Sequence, residues 1–173
     1  FTSATMRLDY NHVGNSGEEH FAFDQMVNDG EWAGSKTILI DELKLGKYFF
    51  EVKDIKTGKL LYSRGFASIY GEWETTPDAD KEWGSFHESL RFPWPKNEVN
   101  VTILKRNIKN GFDPVWTYKV NPKHHRAFTN PVTNHYNTID IVVNGKPEKQ
   151  VDIVVLGEGY AKIARNLAIE IEG

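Results

Sequence analysis

What most constrains this chain is a period of two. From Lys47 to Asp54 the apolar residues Tyr48, Phe50 and Val52 stand at alternate positions, the spacing that puts them on one face of a strand. After Asp54-Ile-Lys-Thr-Gly58 a second apolar run, Leu60-Leu-Tyr62, returns, and Gly58 sits where a short hairpin loop needs a positive φ. Similar short runs occur at Thr5 to Tyr10, His20 to Val27, Phe66 to Trp73, Phe86 to Phe92, Val99 to Leu104 and Val115 to Val120, divided by Gly, Pro, Asn and Asp. Seven or eight half-buried strands at this spacing predict an all-β domain over residues 1–120, an antiparallel β-sandwich of immunoglobulin or jelly-roll type. No stretch before residue 158 holds helical periodicity over three turns, and an aromatic content of 13% with five Trp suits a β-rich core.

The alternation lapses after Val120. Residues 121–149 read as a connecting segment, opening with Pro122, Pro131 and the histidines His124, His125 and His135. Ile139-Asp-Ile-Val-Val143 and Val151-Asp-Ile-Val-Val-Leu156 then flank Asn144-Gly145-Lys-Pro147, and the second run is apolar at four consecutive positions, as in a strand buried on both faces of a parallel sheet. Gly157-Glu-Gly159 follows, and from Ala161 to Glu172 the residues Ile163, Ala164, Leu167, Ala168 and Ile171 keep helical spacing. Residues 150–173 therefore read as the opening strand, turn and helix of an α/β domain that the chain does not complete. Their apolar surface needs cover, so they are expected to dock on the sandwich or to form a homodimer.

Composition removes several function classes. Lys plus Arg number 21 against 24 Asp plus Glu, and a net charge of −3 leaves no electrostatic footprint for nucleic acid. No apolar run approaches the roughly 18 residues of a membrane span. With no Cys, disulfides, Cys-ligated zinc and thiol catalysis are excluded. The chain starts at Phe1 rather than Met, which leaves room for an export signal already removed.

Candidate chemistry is sparse. Gly157-Glu-Gly159 lacks the third Gly and the βαβ unit of a dinucleotide site, so it reads as a tight strand-to-helix turn. His124 and His125 are adjacent and their side chains diverge, and no His-Glu-x-x-His places two ligands on one helix face. Glu72 and Glu74, two apart on an expected strand, share a face, most simply a solvated one at a sheet edge; with Glu88 they are the carboxylates nearest aromatic residues, as in a glycosidase pair. The indoles of Trp32, Trp73, Trp83, Trp94 and Trp116 are either core residues or a sugar-stacking platform, for which Trp73 and Trp94 are the chosen probes.

Taken together, Thr5-Met-Arg-Leu-Asp-Tyr10, Trp32-Ala-Gly-Ser35, Leu61-Tyr-Ser-Arg-Gly-Phe66, Gly71-Glu-Trp-Glu-Thr-Thr76, Ser85-Phe-His-Glu-Ser89 with Arg91-Phe-Pro93, and Val151-Asp-Ile-Val-Val-Leu-Gly-Glu-Gly-Tyr160 resemble, in that order, the N-terminal region of the IgA-peptidase-type zinc metallopeptidases of Bacteroides-like gut bacteria. The resemblance implies an N-terminal β-sandwich ahead of a zincin-like catalytic domain whose first strand carries the segment with Asp152, Gly157, Glu158, Gly159 and Tyr160. That family's zinc motif is absent here, and after Tyr160 the segment Ala161-Lys-Ile-Ala164 departs from its pattern, so no catalytic or metal residue is assigned. The implied role is a secreted, periplasmic or cell-surface accessory domain, inactive alone, whose partners are a downstream protease domain and a protein substrate, with zinc only in that downstream domain. A carbohydrate-binding sandwich is the alternative.

Overall fold

The structure is a computed structural model that describes residues 1–123, 127–129, 141 and 153. The chain divides into two compact units, Phe1–Asn137 and Thr138–Gly173. In the second, Ile141 and Ile153 are described and both expose their side chains. The rest of the strand expected over 151–156, the turn at Gly157, Glu158, Gly159 and Tyr160 with Asp152 before it, the helix over 161–172 and the dimer contact through 150–173 lie outside the described residues.

The first unit contains β1 (Ala4–Gly14), β2 (Glu19–Glu31), β3 (Tyr48–Asp54), β4 (Leu60–Phe66), α1 (Ile69–Trp73), β5 (Gly84–Pro93), β6 (Val99–Arg106), β7 (Phe112–Val120) and β8 (Ala127–Thr129). They form two four-stranded sheets, ordered β5-β1-β2-β8 and β4-β3-β6-β7. Seven long strands pair antiparallel, as the alternation requires, and one hydrophobic cluster joins residues of both sheets. The β3–β4 hairpin turns as expected: Gly58 has φ +69 and donates its amide to the Asp54 carbonyl at 2.9 Å.

Two expectations need correction. The run from Phe66 to Trp73 is not a strand, because β4 ends at Phe66 and α1 begins at Ile69. Ser68 caps that helix, accepting the Gly71 amide at 3.0 Å. Alternation misled here because Ser68 and Tyr70 are both buried, two residues apart, in a capped turn as they would be in a strand. The second correction concerns the segment after Val120, which is not irregular throughout: β8 pairs in parallel with Met26–Asn28 of β2 and covers part of an edge whose backbone groups would otherwise lack partners.

Register decides what faces what inside the sandwich. Along β1 the inward residues are Met6, Leu8, Tyr10 and His12, opposite Phe92, Leu90, Glu88 and Phe86 of β5. In the other sheet, Val52, Phe50 and Tyr48 pair with Val101, Ile103 and Lys105. One end of the interior is therefore apolar, and the other collects ionisable groups.

Candidate functional site

The polar end is built by the same alternation that builds the core. His12, the fourth inward position of β1, is fully buried. Its ring is stacked between Tyr70 and Phe21, with centroids at 4.0 and 4.1 Å, and meets Tyr48 edge-on at 5.5 Å. Its Nε2 lies 2.9 Å from Glu19 Oε2, and its Nδ1 lies 3.3 Å from Glu88 Oε2 and from Ser68 Oγ. Each carboxylate has further partners. Glu88 accepts hydrogen bonds from the Tyr10 hydroxyl at 2.9 Å, the Ser68 hydroxyl at 2.7 Å and the Tyr70 amide at 3.2 Å. Glu19 accepts the Tyr48 hydroxyl at 2.7 Å and pairs with Lys105 at 3.0 Å. Lys105 reaches on to Glu74 at 2.9 Å, whose other oxygen pairs with Lys47. The chain of contacts thus links β1, β2 and β5 of one sheet to β3 and β6 of the other and to the end of α1.

The electrostatics follow from this crowding. Burial disfavours a charged His12, but hydrogen bonds donated to Glu19 and Glu88 outweigh it and raise the imidazole above its ordinary 6.5. Burial would likewise raise Glu19, yet His12, Tyr48 and Lys105 together hold it down at about 2. Glu88 is also lowered: burial is overcome by His12, Ser68, the Tyr70 amide and Tyr10. Burial and the neighbouring carboxylates push the Tyr10 and Tyr48 phenols up, so both remain hydrogen-bond donors. A general acid needs a carboxyl titrating near the working pH, with room for a substrate proton. Glu88 and Glu19 are instead held ionised, and their oxygens are taken by internal partners. The arrangement is suited to tying two sheets together. Both nitrogens of His12 are engaged by carboxylates, and among the described residues no group of three or more His, Asp or Glu is arranged for a metal ion, so these residues do not fit a zinc centre.

The residues singled out from sequence are distributed differently from expectation. Glu72 and Glu74 do not share a strand face; Glu72 is exposed on α1, while Glu74, at the helix C-cap, is turned into the cluster. The reason is again the capped turn at Ser68. Trp73 is half-buried against Phe86, with ring centroids 5.5 Å apart near the start of β5. Trp94 follows the end of β5 and packs against the core. The eight residues of chain from Phe86 to Trp94 span about 26 Å at roughly 3.3 Å per residue, so these two indoles do not form one platform. Trp83 is 51% exposed and lies parallel to His20 at 5.6 Å. His124, His125 and His135 lie outside the described residues. Sequence reading missed His12, Glu19 and Lys105. One signal was present for His12: it continues the alternate series Met6, Leu8, Tyr10 in phase, and phase alone places it inside. Glu19 and Lys105 carry no such mark, since their role depends on the facing sheet.

A family model described as Peptidase M64 N-terminus matches residues 1–117. No curated protein matches the chain.

Proposed function

Because the chain belongs to the Peptidase M64 N-terminus family, the N-terminal region of peptidase M64 proteins, we propose that it is the non-catalytic accessory domain of a secreted or surface-held zinc metallopeptidase of the IgA-peptidase type. It positions the downstream protease domain or that domain's protein substrate. The observation that carries the reading, beside the family match, is the closure of the buried cluster: His12, Glu19 and Glu88 spend their hydrogen-bonding capacity on one another and on Tyr10, Tyr48, Ser68 and Lys105. Such a cluster stiffens a scaffold and offers no free acid, base or ligand. On this reading zinc belongs to the downstream catalytic domain.

The test is an assay of the 173-residue chain for casein hydrolysis, with and without a chelator. No cleavage is expected. Chelator-sensitive cleavage that persists through repurification would overturn the reading. The carbohydrate-binding alternative rests on Trp83, the exposed indole; a glycan array that scores positive with the chain and negative with Trp83→Ala would favour it instead.

A further inference from the structure

The outer face of the β4-β3-β6-β7 sheet carries a cavity of about 490 Å³ that the buried cluster does not touch. Its floor is Phe49, Leu104 and Phe112, and its walls are the turns at Leu43–Lys44 and Asn110–Gly111. Phe49 is only 4% exposed although it points away from the sandwich interior, because the Phe112 ring lies 5.2 Å from it. The two walls share an unusual backbone: Lys44 at φ 50 and Asn110 at φ 64 are the two non-glycine residues with positive φ among the described residues. One side chain holds both walls. Arg106 lies over the Phe112 ring at 4.4 Å and donates to the carbonyls of Lys44, Gly46 and Asn110. The first wall is fixed from below as well, since Asp41 accepts the amides of Leu43, Lys44 and Gly65 at 2.9, 3.1 and 2.8 Å.

Charge identifies what such a groove suits. Among the described residues every hydrogen-bond acceptor of Arg106 is neutral and neither Arg106 nor Lys44 forms an ion pair, whereas Glu51 on the rim is paired with Lys53 at 2.5 Å. A preorganised apolar floor thus lies beneath two cations that form no ion pair among the described residues. We propose that this groove docks an extended acidic peptide segment, which inserts one large apolar side chain over Phe49, Leu104 and Phe112 and sets flanking carboxylates against Lys44 and Arg106. A rigid aromatic floor supplies the anchor, and the cations select the flanks. Two cations above a ring-lined floor do not suit a polyphosphate backbone, which binds through many phosphate contacts. The inference rests on this chain's own surface and holds whether or not a protease domain adjoins it.

The test uses the full 173-residue chain, ¹⁵N-labelled, titrated with three acetylated, amidated nonapeptides: a central Phe between paired Asp residues, the same Phe between paired Lys residues, and the acidic peptide with Ala at the centre. The acidic Phe peptide is expected to bind at least tenfold more tightly than the other two, with shifts centred on the amides of Phe49, Leu104, Arg106 and Phe112. Leu43→Asp, at a position 77% exposed, leaves the fold intact and is expected to weaken binding at least tenfold. Lys44→Gln, which removes a cation without touching the bonds that hold the walls, is expected to reduce the preference for Asp over Lys flanks. Equal binding of the acidic and basic peptides, or shifts centred elsewhere, would overturn the proposal. So would concentration-dependent self-association that shifts the same amides without peptide and is lost in Leu43→Asp, because the occupant would then be a second copy of the chain.

Discussion

The two ends of the sandwich interior are laid out by one alternation and held by different physics. At one end Met6, Leu8, Phe92, Val52 and Val101 are fully buried side chains without charge. At the other, two and three rungs along the same β1, Tyr10 and His12 meet Glu88, Glu19 and Lys105. The apolar end gains from each side chain separately, so a truncation there removes that side chain's transfer free energy and leaves a cavity. The polar end has no such independence. Each charged group there is tolerated because the others are present, and removing one leaves its partner buried and unpaired. A chain can thus replace core residues gradually at one end while the other end is kept or lost as a unit.

The comparison breaks most sharply if one carboxylate is removed. Glu88→Ala strips acceptors from Tyr10, His12, Ser68 and the Tyr70 amide together, and loss of one member of a buried ion pair costs about 3–5 kcal/mol. Urea unfolding at pH 6 should show this; a loss below about 1 kcal/mol, the ordinary worth of an exposed pair, would remove the distinction between the ends. Leu8→Ala at the apolar end should cost about 2–5 kcal/mol, by the same amount at every pH, since nothing ionisable changes.

The pH profile sharpens the contrast. His12 has a folded value above its ordinary 6.5, so its contribution is complete below pH 6.5 and is lost as pH rises through the raised value. Glu19 has a folded value of about 2 against an ordinary 4.5, so its contribution is complete above pH 4.5 and is lost as pH falls toward 2. The cluster is therefore strongest between pH 4.5 and 6.5. Unfolding curves measured from pH 3 to 9 should peak in that window for the native chain and for Leu8→Ala, and should be flatter for Glu88→Ala. A profile with the same shape in all three proteins would place the pH dependence outside the cluster. The smallest effect comes from a neutral member of the network: Ser68→Ala removes the cap of α1 together with one donor to Glu88 and should cost about 2 kcal/mol, read as a lowered urea midpoint.

The same contrast explains what the sequence made legible. Strand positions, the Gly58 hairpin and the sandwich class follow from local alternation and turn chemistry, which neighbouring residues determine. The false strand at Phe66 to Trp73 shows the limit, because burial two residues apart at Ser68 and Tyr70 has the same pattern in a strand and in a capped turn. Glu88 and Glu74 were visible as carboxylates near aromatic residues, but their assembly with His12, Glu19 and Lys105 depends on the way the sheets face each other. That pairing joins residues far apart in the chain, Tyr10 with Glu88 across 78 positions and Glu19 with Lys105 from opposite sheets, and no local spacing encodes it. The groove around Arg106 was invisible for the same reason: its two walls come from separate loops that meet only over β6.

The most direct measurement is the titration of the His12 imidazole by NMR in the folded 173-residue chain. Burial and carboxylate pairing push this one group in opposite directions, so the sign of its shift states which dominates. If Glu19 and Glu88 tie the polar end together, His12 titrates above 6.5, and Glu88→Gln brings it back down. A His12 that titrates below 6.5 in the native chain, as an imidazole buried without charged partners does, would contradict the account.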